Sequence, residues 1–128
     1  MVGHLSHRPR WGGVATQQGA TAISQILRQD LGFGGVVVSD DLAMRAATVG
    51  KSTLAQVARS AVNGGVDVLL IGEPLNPSIR NLGAYLNAAI VEGLASKEIP
   101  LDQIRGSWER VVALKAKLRW LNAQADRR

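Results

Sequence analysis

Ser39, Asp40 and Asp41 interrupt the apolar stretch LGFGGVVVSDDLAM, residues 31–44, and place two adjacent carboxylates where a buried strand would end. Carboxylates at the C-terminal end of a parallel strand can act as nucleophile, general acid or general base, because the loops of an α/β barrel converge on that face. A second apolar run, VDVLLI at 66–71, ends in Gly72, Glu73 and Pro74, so Glu73 is expected on the same face as Asp40. His4 lies in an apolar stretch, where a hydrogen-bonded core histidine is the ordinary reading, and His7 lies in the loop after it. Neither histidine receives a role. The chain has no cysteine, which excludes disulfides, thiol catalysis and cysteine metal clusters. Gly32, Gly34 and Gly35 enter a strand, whereas a phosphate-binding glycine loop must leave one, so nothing supports a nucleotide site.

Each candidate also has a structural reading. An aspartate at a strand-to-helix turn such as Asp40 commonly caps the following helix. Asp41 either contacts substrate or holds loop backbone amides. Met44 either lines a pocket mouth with its flexible thioether or belongs to the wall and core.

The elements that must position these residues follow from periodicity. MVGHL at 1–5 reads as a strand, and SHRPRWGG after it as a loop. Ala22, Ile23, Ile26 and Leu27 recur at helical spacing over 21–29, with Gly32 as the stop. The β-branched run at 36–38 predicts a strand over 36–39, buried on both faces. Ser52 is the predicted N-cap of a helix with the stripe Leu54, Val57, Ala58, Ala61 and Val62, ended by Asn63, Gly64 and Gly65. A third buried strand is predicted over 66–71. Helices follow over 78–92, with Ile79, Leu82, Leu86 and Ile90 facing inward, and over 101–121, with Ile104, Trp108, Val111, Val112, Leu114 and Leu118. Strands alternating with helices predict an α/β fold with a parallel sheet. The alternation fits an open doubly wound sheet or an arc of a closed barrel, since both use one unit.

The chain has 128 residues, enough for one small domain, and an apolar content of 46%. Fifteen basic against ten acidic residues give a net charge of +5, but the cations are spread from Arg8 to Arg128. With only 4% aromatic residues the chain offers no base-stacking platform, so no nucleic-acid partner is expected. No apolar stretch reaches the roughly 18 residues of a membrane span, and MVGHLSHRPRWGG lacks the order of a secretory signal. No membrane association is expected, and the chain as written is placed in the cytoplasm, with an exported parent protein left open.

The block LGFGG, VVV, SDDLAM resembles the nucleophile segment of family 3 glycoside hydrolases, and most closely their β-N-acetylhexosaminidase branch. GGVDVLLIGEP resembles the strand and loop that close the barrel in that family. The stretch from Leu101 through SWERVVALKAKL resembles its terminal helix, with a hydroxyl, an arginine and a lysine at comparable spacing. MVGHL resembles the preceding strand. The resemblance implies a partial TIM (β/α)8 barrel made of about the last three strands, with residues 1–128 forming one C-terminal fragment of the catalytic barrel. It implies Asp40 as the catalytic nucleophile and Asp41 and Met44 as substrate-binding residues, with no metal and no organic cofactor. The implied substrate is terminal N-acetylglucosamine on peptidoglycan fragments or chitin-type oligosaccharides.

A retaining glycosidase needs a second group about 5 to 5.5 Å from the nucleophile to protonate the leaving oxygen. In the hexosaminidase branch that role is assigned to a histidine paired with an aspartate on an upstream loop. No counterpart is encoded here, so the chain alone is expected to be inactive until the rest of a barrel completes it. The alternative expectation is a non-catalytic α/β module. Its exposed strand edges would pair with a second copy, giving a homo-oligomer, or with another barrel fragment.

Overall fold

The computed structural model describes residues 21–43, 53–72 and 81–125. The elements in order are helix α1 (Thr21–Asp30), strand β1 (Val38–Asp41), helix α2 (Leu54–Asn63), strand β2 (Val68–Leu70), helix α3 (Leu82–Ala95) and helix α4 (Leu101–Ala125). The two strands pair in parallel with α2 between them in sequence, which is a βαβ unit. The fold is mixed α/β, as the alternation predicts. The expected strand over 1–5 lies outside the described residues, as do His4, His7, Met44, Ser52, Glu73 and Ile79.

Helix α1 occupies the predicted span but is wound more widely than an α-helix. The Leu31 N–H donates to the Ile26 carbonyl, five residues back, at 3.0 Å. Gly32 follows with φ +64°, a left-handed conformation that suits glycine at a helix end. Helix α2 is capped by Thr53 and not by Ser52. The Thr53 Oγ1 accepts from the Gln56 N–H at 3.2 Å, and Gln56 Oε1 accepts from the Thr53 N–H at 2.8 Å. This reciprocal box satisfies two donors that the first turn would otherwise leave unpaired.

Ile23, Val37, Leu42, Val57, Ala58, Ala61, Val66 and Leu86 form one buried cluster, and Leu27, Leu54, Leu69, Ile71, Leu82 and Ile90 pack against it. The predicted stripe of α2 is therefore the centre of the core. Helix α3 starts at Leu82, four residues after the predicted position, because Asn81 caps it by accepting from the Ala84 N–H at 2.9 Å.

Burial differs from expectation in β2 and α4. Strand β2 is not buried on both faces: Leu69 and Ile71 face the helices, whereas Val68 and Leu70 are 38% and 46% exposed. The apolar stripe expected on α4 is largely exposed as well, with Trp108 at 66%, because described elements cover only the beginning of this 25-residue helix. Among the described residues, no helix is long and apolar enough to cross a membrane.

Gly65 joins α2 to β2 with φ +107°, and a Cβ there would stand 2.8 Å from the Ile23 Cγ2. Backbone strain and overpacking act together at this position. Gly65→Ala is expected to lower the unfolding free energy by about 1–3 kcal/mol, read from the shift of a urea unfolding curve at unchanged slope.

Candidate carboxylate site at the strand ends

Strand β1 begins and ends two residues later than predicted, so Asp40 and Asp41 lie within it. The shift has a structural cause. The Val37 carbonyl accepts from both the Asp67 N–H at 2.9 Å and the Val68 N–H at 3.1 Å, so regular pairing starts only beyond it. The register then slips: Val38 faces Val68, but Asp41 faces Leu70. One more residue is fitted into β1 than into β2 over the same length, which is a β-bulge at Ser39 and Asp40.

Side chains complete the ladder at the bulge. The Leu70 N–H donates to Ser39 Oγ at 2.8 Å, and Ser39 is fully buried. The Gly72 N–H donates to Asp41 Oδ1 at 2.8 Å, and the same oxygen accepts from the Ala43 N–H at 2.9 Å. Asp40 Oδ1 accepts from the Asp41 N–H at 2.9 Å. Beyond the bulge the Leu42 N–H returns to the Leu70 carbonyl at 3.0 Å. A Cβ on Gly72 would stand 2.6 Å from Asp41 Oδ2, so the absence of a side chain there leaves room for this carboxylate. Asp40 and Asp41 are both partly exposed, at the end of the strands that faces away from Asp67.

Asp67 builds a second cluster at the opposite end of β2, and the candidate residues chosen from sequence did not include it. Its side chain is 0% exposed. Asp67 Oδ2 accepts from Arg28 Nη2 of α1 at 2.7 Å and from the Val37 N–H at 2.8 Å. Asp67 Oδ1 accepts from Ser107 Oγ at 2.7 Å and from Arg110 Nε and Nη2 of α4 at 3.0 and 2.7 Å. Arg28 also donates to the carbonyls of Phe33 and Gly35 at 2.9 and 2.6 Å, fixing the loop into β1. Burial alone would raise the Asp67 pKa. The Arg110 hydrogen bonds, the Val37 N–H, the Ser107 hydroxyl and the Arg110 charge outweigh it and hold the carboxyl below its ordinary value of 3.8.

The two ends of the strands therefore differ in kind. The N-terminal end is closed by a fully bonded buried carboxylate, and the C-terminal end presents carboxylates that water can reach. No group of three or more histidine, aspartate or glutamate side chains able to hold a metal ion occurs among the described residues.

The family described as "Glycosyl hydrolase family 3 N terminal domain" matches residues 1–114. The chain belongs to glycosyl hydrolase family 3. Among its relatives, the β-hexosaminidase of Bordetella avium (strain 197N) is 34% identical over 106 residues, covering 83% of this chain and 26% of its own length. The structure of a family 3 β-N-acetylglucosaminidase from Paenibacillus sp. str. FPU-7 is similar with a TM-score of 0.69 at 27% identity, over 80% of this chain and 18% of that one. A family 3 glycosyl hydrolase from Mycobacterium smegmatis str. MC2 155 gives a TM-score of 0.74 at 25% identity, over 88% and 34%. The chain thus spans about a quarter of the length of the Bordetella avium relative.

Two outcomes are expected of the site and its support. As pH falls through the depressed Asp67 pKa, the carboxyl protonates and the stability it contributes, fully present above about pH 4, is lost. Asp67→Asn should abolish that part of the acid limb in unfolding measured across pH 2–6. Asp67→Ala leaves two arginines facing a buried void and is expected to cost about 3–5 kcal/mol at pH 7 in urea unfolding.

Proposed function

We propose that these residues form the C-terminal part of the (β/α)8 barrel of a retaining, β-N-acetylhexosaminidase-like enzyme, with Asp40 as its nucleophile. The substrate class in this reading is terminal N-acetylglucosamine on peptidoglycan fragments or chitin-type oligosaccharides. The observation that carries it is the position of Asp40 at the bulged C-terminal end of a parallel strand, within the SDDLAM block that resembles the family's nucleophile segment. Two further features support a barrel arc. The strands are parallel neighbours joined through a helix, and the apolar Val68 and Leu70 are exposed on the face that a closed barrel would fill.

In the proposed reaction the Asp40 carboxylate attacks the anomeric carbon while an acid protonates the departing oxygen. Water then cleaves the glycosyl ester, with the acid now acting as base. The developing positive charge on the sugar ring is opposed by the carboxylate at the attacking face. Met44 follows the site in sequence and lines the sugar pocket in this reading. The described strand ends supply Asp40 and Asp41 but no acid/base group of the histidine type that the hexosaminidase branch uses. The acid/base group is thus taken from another part of the barrel, and these 128 residues alone do not turn over substrate.

The exposed Val68 and Leu70 also favour a second reading, in which the chain is a non-catalytic module that pairs with a second copy or with another barrel fragment through this face and the strand edges.

Hydrolysis of a chromogenic N-acetylglucosaminide separates the two readings. The test compares the chain alone with a fusion behind the preceding barrel segment of the Bordetella avium relative. The expected result is turnover by the fusion only, reduced by several orders of magnitude in Asp40→Ala. A folded fusion without turnover would favour the module.

A further inference from the structure

We infer that Ser39 and Asp41 are positioning residues for Asp40, their side chains holding β1 in the bulged register that presents the Asp40 carboxylate at the open end of the sheet. The inference rests on the proposed role of Asp40. In regular parallel pairing, β2 amides donate to main-chain carbonyls of the neighbouring strand. Here two successive β2-side donors, the N–H groups of Leu70 and Gly72, go to Ser39 Oγ and Asp41 Oδ1, both at 2.8 Å.

These contacts give the bulge a lock at either side of Asp40. Ser39 is fully buried and satisfies a strand amide that would otherwise lack an acceptor. Asp41 ties β1 to Gly72 and to the turn at Ala43 with a single oxygen, and the missing Cβ of Gly72 makes room for the other. Side chains alternate faces along a strand, so a one-residue slip into regular register would carry Asp40 to the opposite face. A hydroxyl and a carboxylate on either side of the nucleophile thus prevent the slip. Asp41 acts through its acceptor geometry and not as a charge directed at the sugar.

An acceptor role and a substrate contact respond differently to amide replacement. In the Bordetella avium fusion, Ser39→Ala and Asp41→Ala are expected to lower kcat by about 100-fold, the scale of a 1 Å misplacement, with KM changed little. Asp41→Asn keeps an oxygen able to accept from Gly72 and Ala43 and should recover much of the loss. Amide hydrogen exchange by NMR supplies a readout independent of turnover: protection is expected to fall at Leu70 in Ser39→Ala, and at Gly72 and Ala43 in Asp41→Ala, but to persist in Asp41→Asn.

Asp41→Asn that is as impaired as Asp41→Ala, with a raised KM, would overturn the inference and make Asp41 a substrate contact. Unchanged exchange at Leu70 and Gly72 in the alanine variants would overturn it equally. If the folded, unsubstituted fusion shows no turnover, the glycosidase reading fails, while the exchange pattern still decides whether these side chains hold the register.

Discussion

The buried carboxylate of Asp67 joins α1, the loop into β1 and α4 at the N-terminal end of the strands. A single side chain with no solvent exposure gathers an arginine from α1, a backbone amide from the start of β1, and a hydroxyl and an arginine from α4. A buried charge is tolerated only when it is paired and fully hydrogen-bonded, and both oxygens of Asp67 meet that condition. Because the partners come from three other elements, the cluster works as a geometric constraint more than as a source of attraction. It links helix α1, the start of β1 and helix α4 to the N-terminal end of β2.

That constraint leaves the opposite end of the strands to present the partly exposed Asp40 and Asp41. Two strands of three and four residues are too short to define a site by their own ladder. Anchoring Val37 at one end through the Asp67 carboxylate, and Leu70 and Gly72 at the other through Ser39 and Asp41, confines the irregular stretch to a single residue step. In the proposed barrel reading this contrast would follow the general rule that the N-terminal end of the strands serves stability and the C-terminal end serves chemistry. Both clusters use the same device, an acidic side chain accepting a strand amide, but only at the C-terminal end do the carboxylates remain open to water.

The two carboxylates at this end of β1 were legible because a β-branched run broken by Ser39, Asp40 and Asp41 marks where a buried strand meets water, although the same residues also admit structural roles. The helices were legible wherever a strong apolar period coincided with a cap, as in α2. Boundaries were less so: the Val36–Val37 segment looks like the middle of a strand by residue type, yet the bonds to Asp67 move regular pairing two residues on. Asp67 itself was missed although a signal existed. One acid within VDVLLI must be paired if the run is buried, and Ser107 and Arg110 of SWER stand one helical turn apart, ready to supply the partners. The exposure of Trp108 and Leu118 was not legible, since an apolar stripe on α4 reads as core whether or not its cover belongs to the described residues. The bulge was not legible either, because it depends on contacts between strands that are some thirty positions apart in the chain.

In the proposed reaction Asp40 forms a covalent bond to the sugar. A direct measurement is mass spectrometry of the fused barrel after treatment with a fluorinated N-acetylglucosaminyl fluoride, whose electron-poor ring slows both steps while its good leaving group restores only the first, so that the glycosyl-enzyme accumulates. The account predicts a stoichiometric mass increase of one sugar residue, located in the peptide containing SDDLAM and at Asp40 within it, and absent in Asp40→Ala. A sugar carried on Asp41 or on another residue, or turnover that proceeds with no adduct on this peptide, would contradict it.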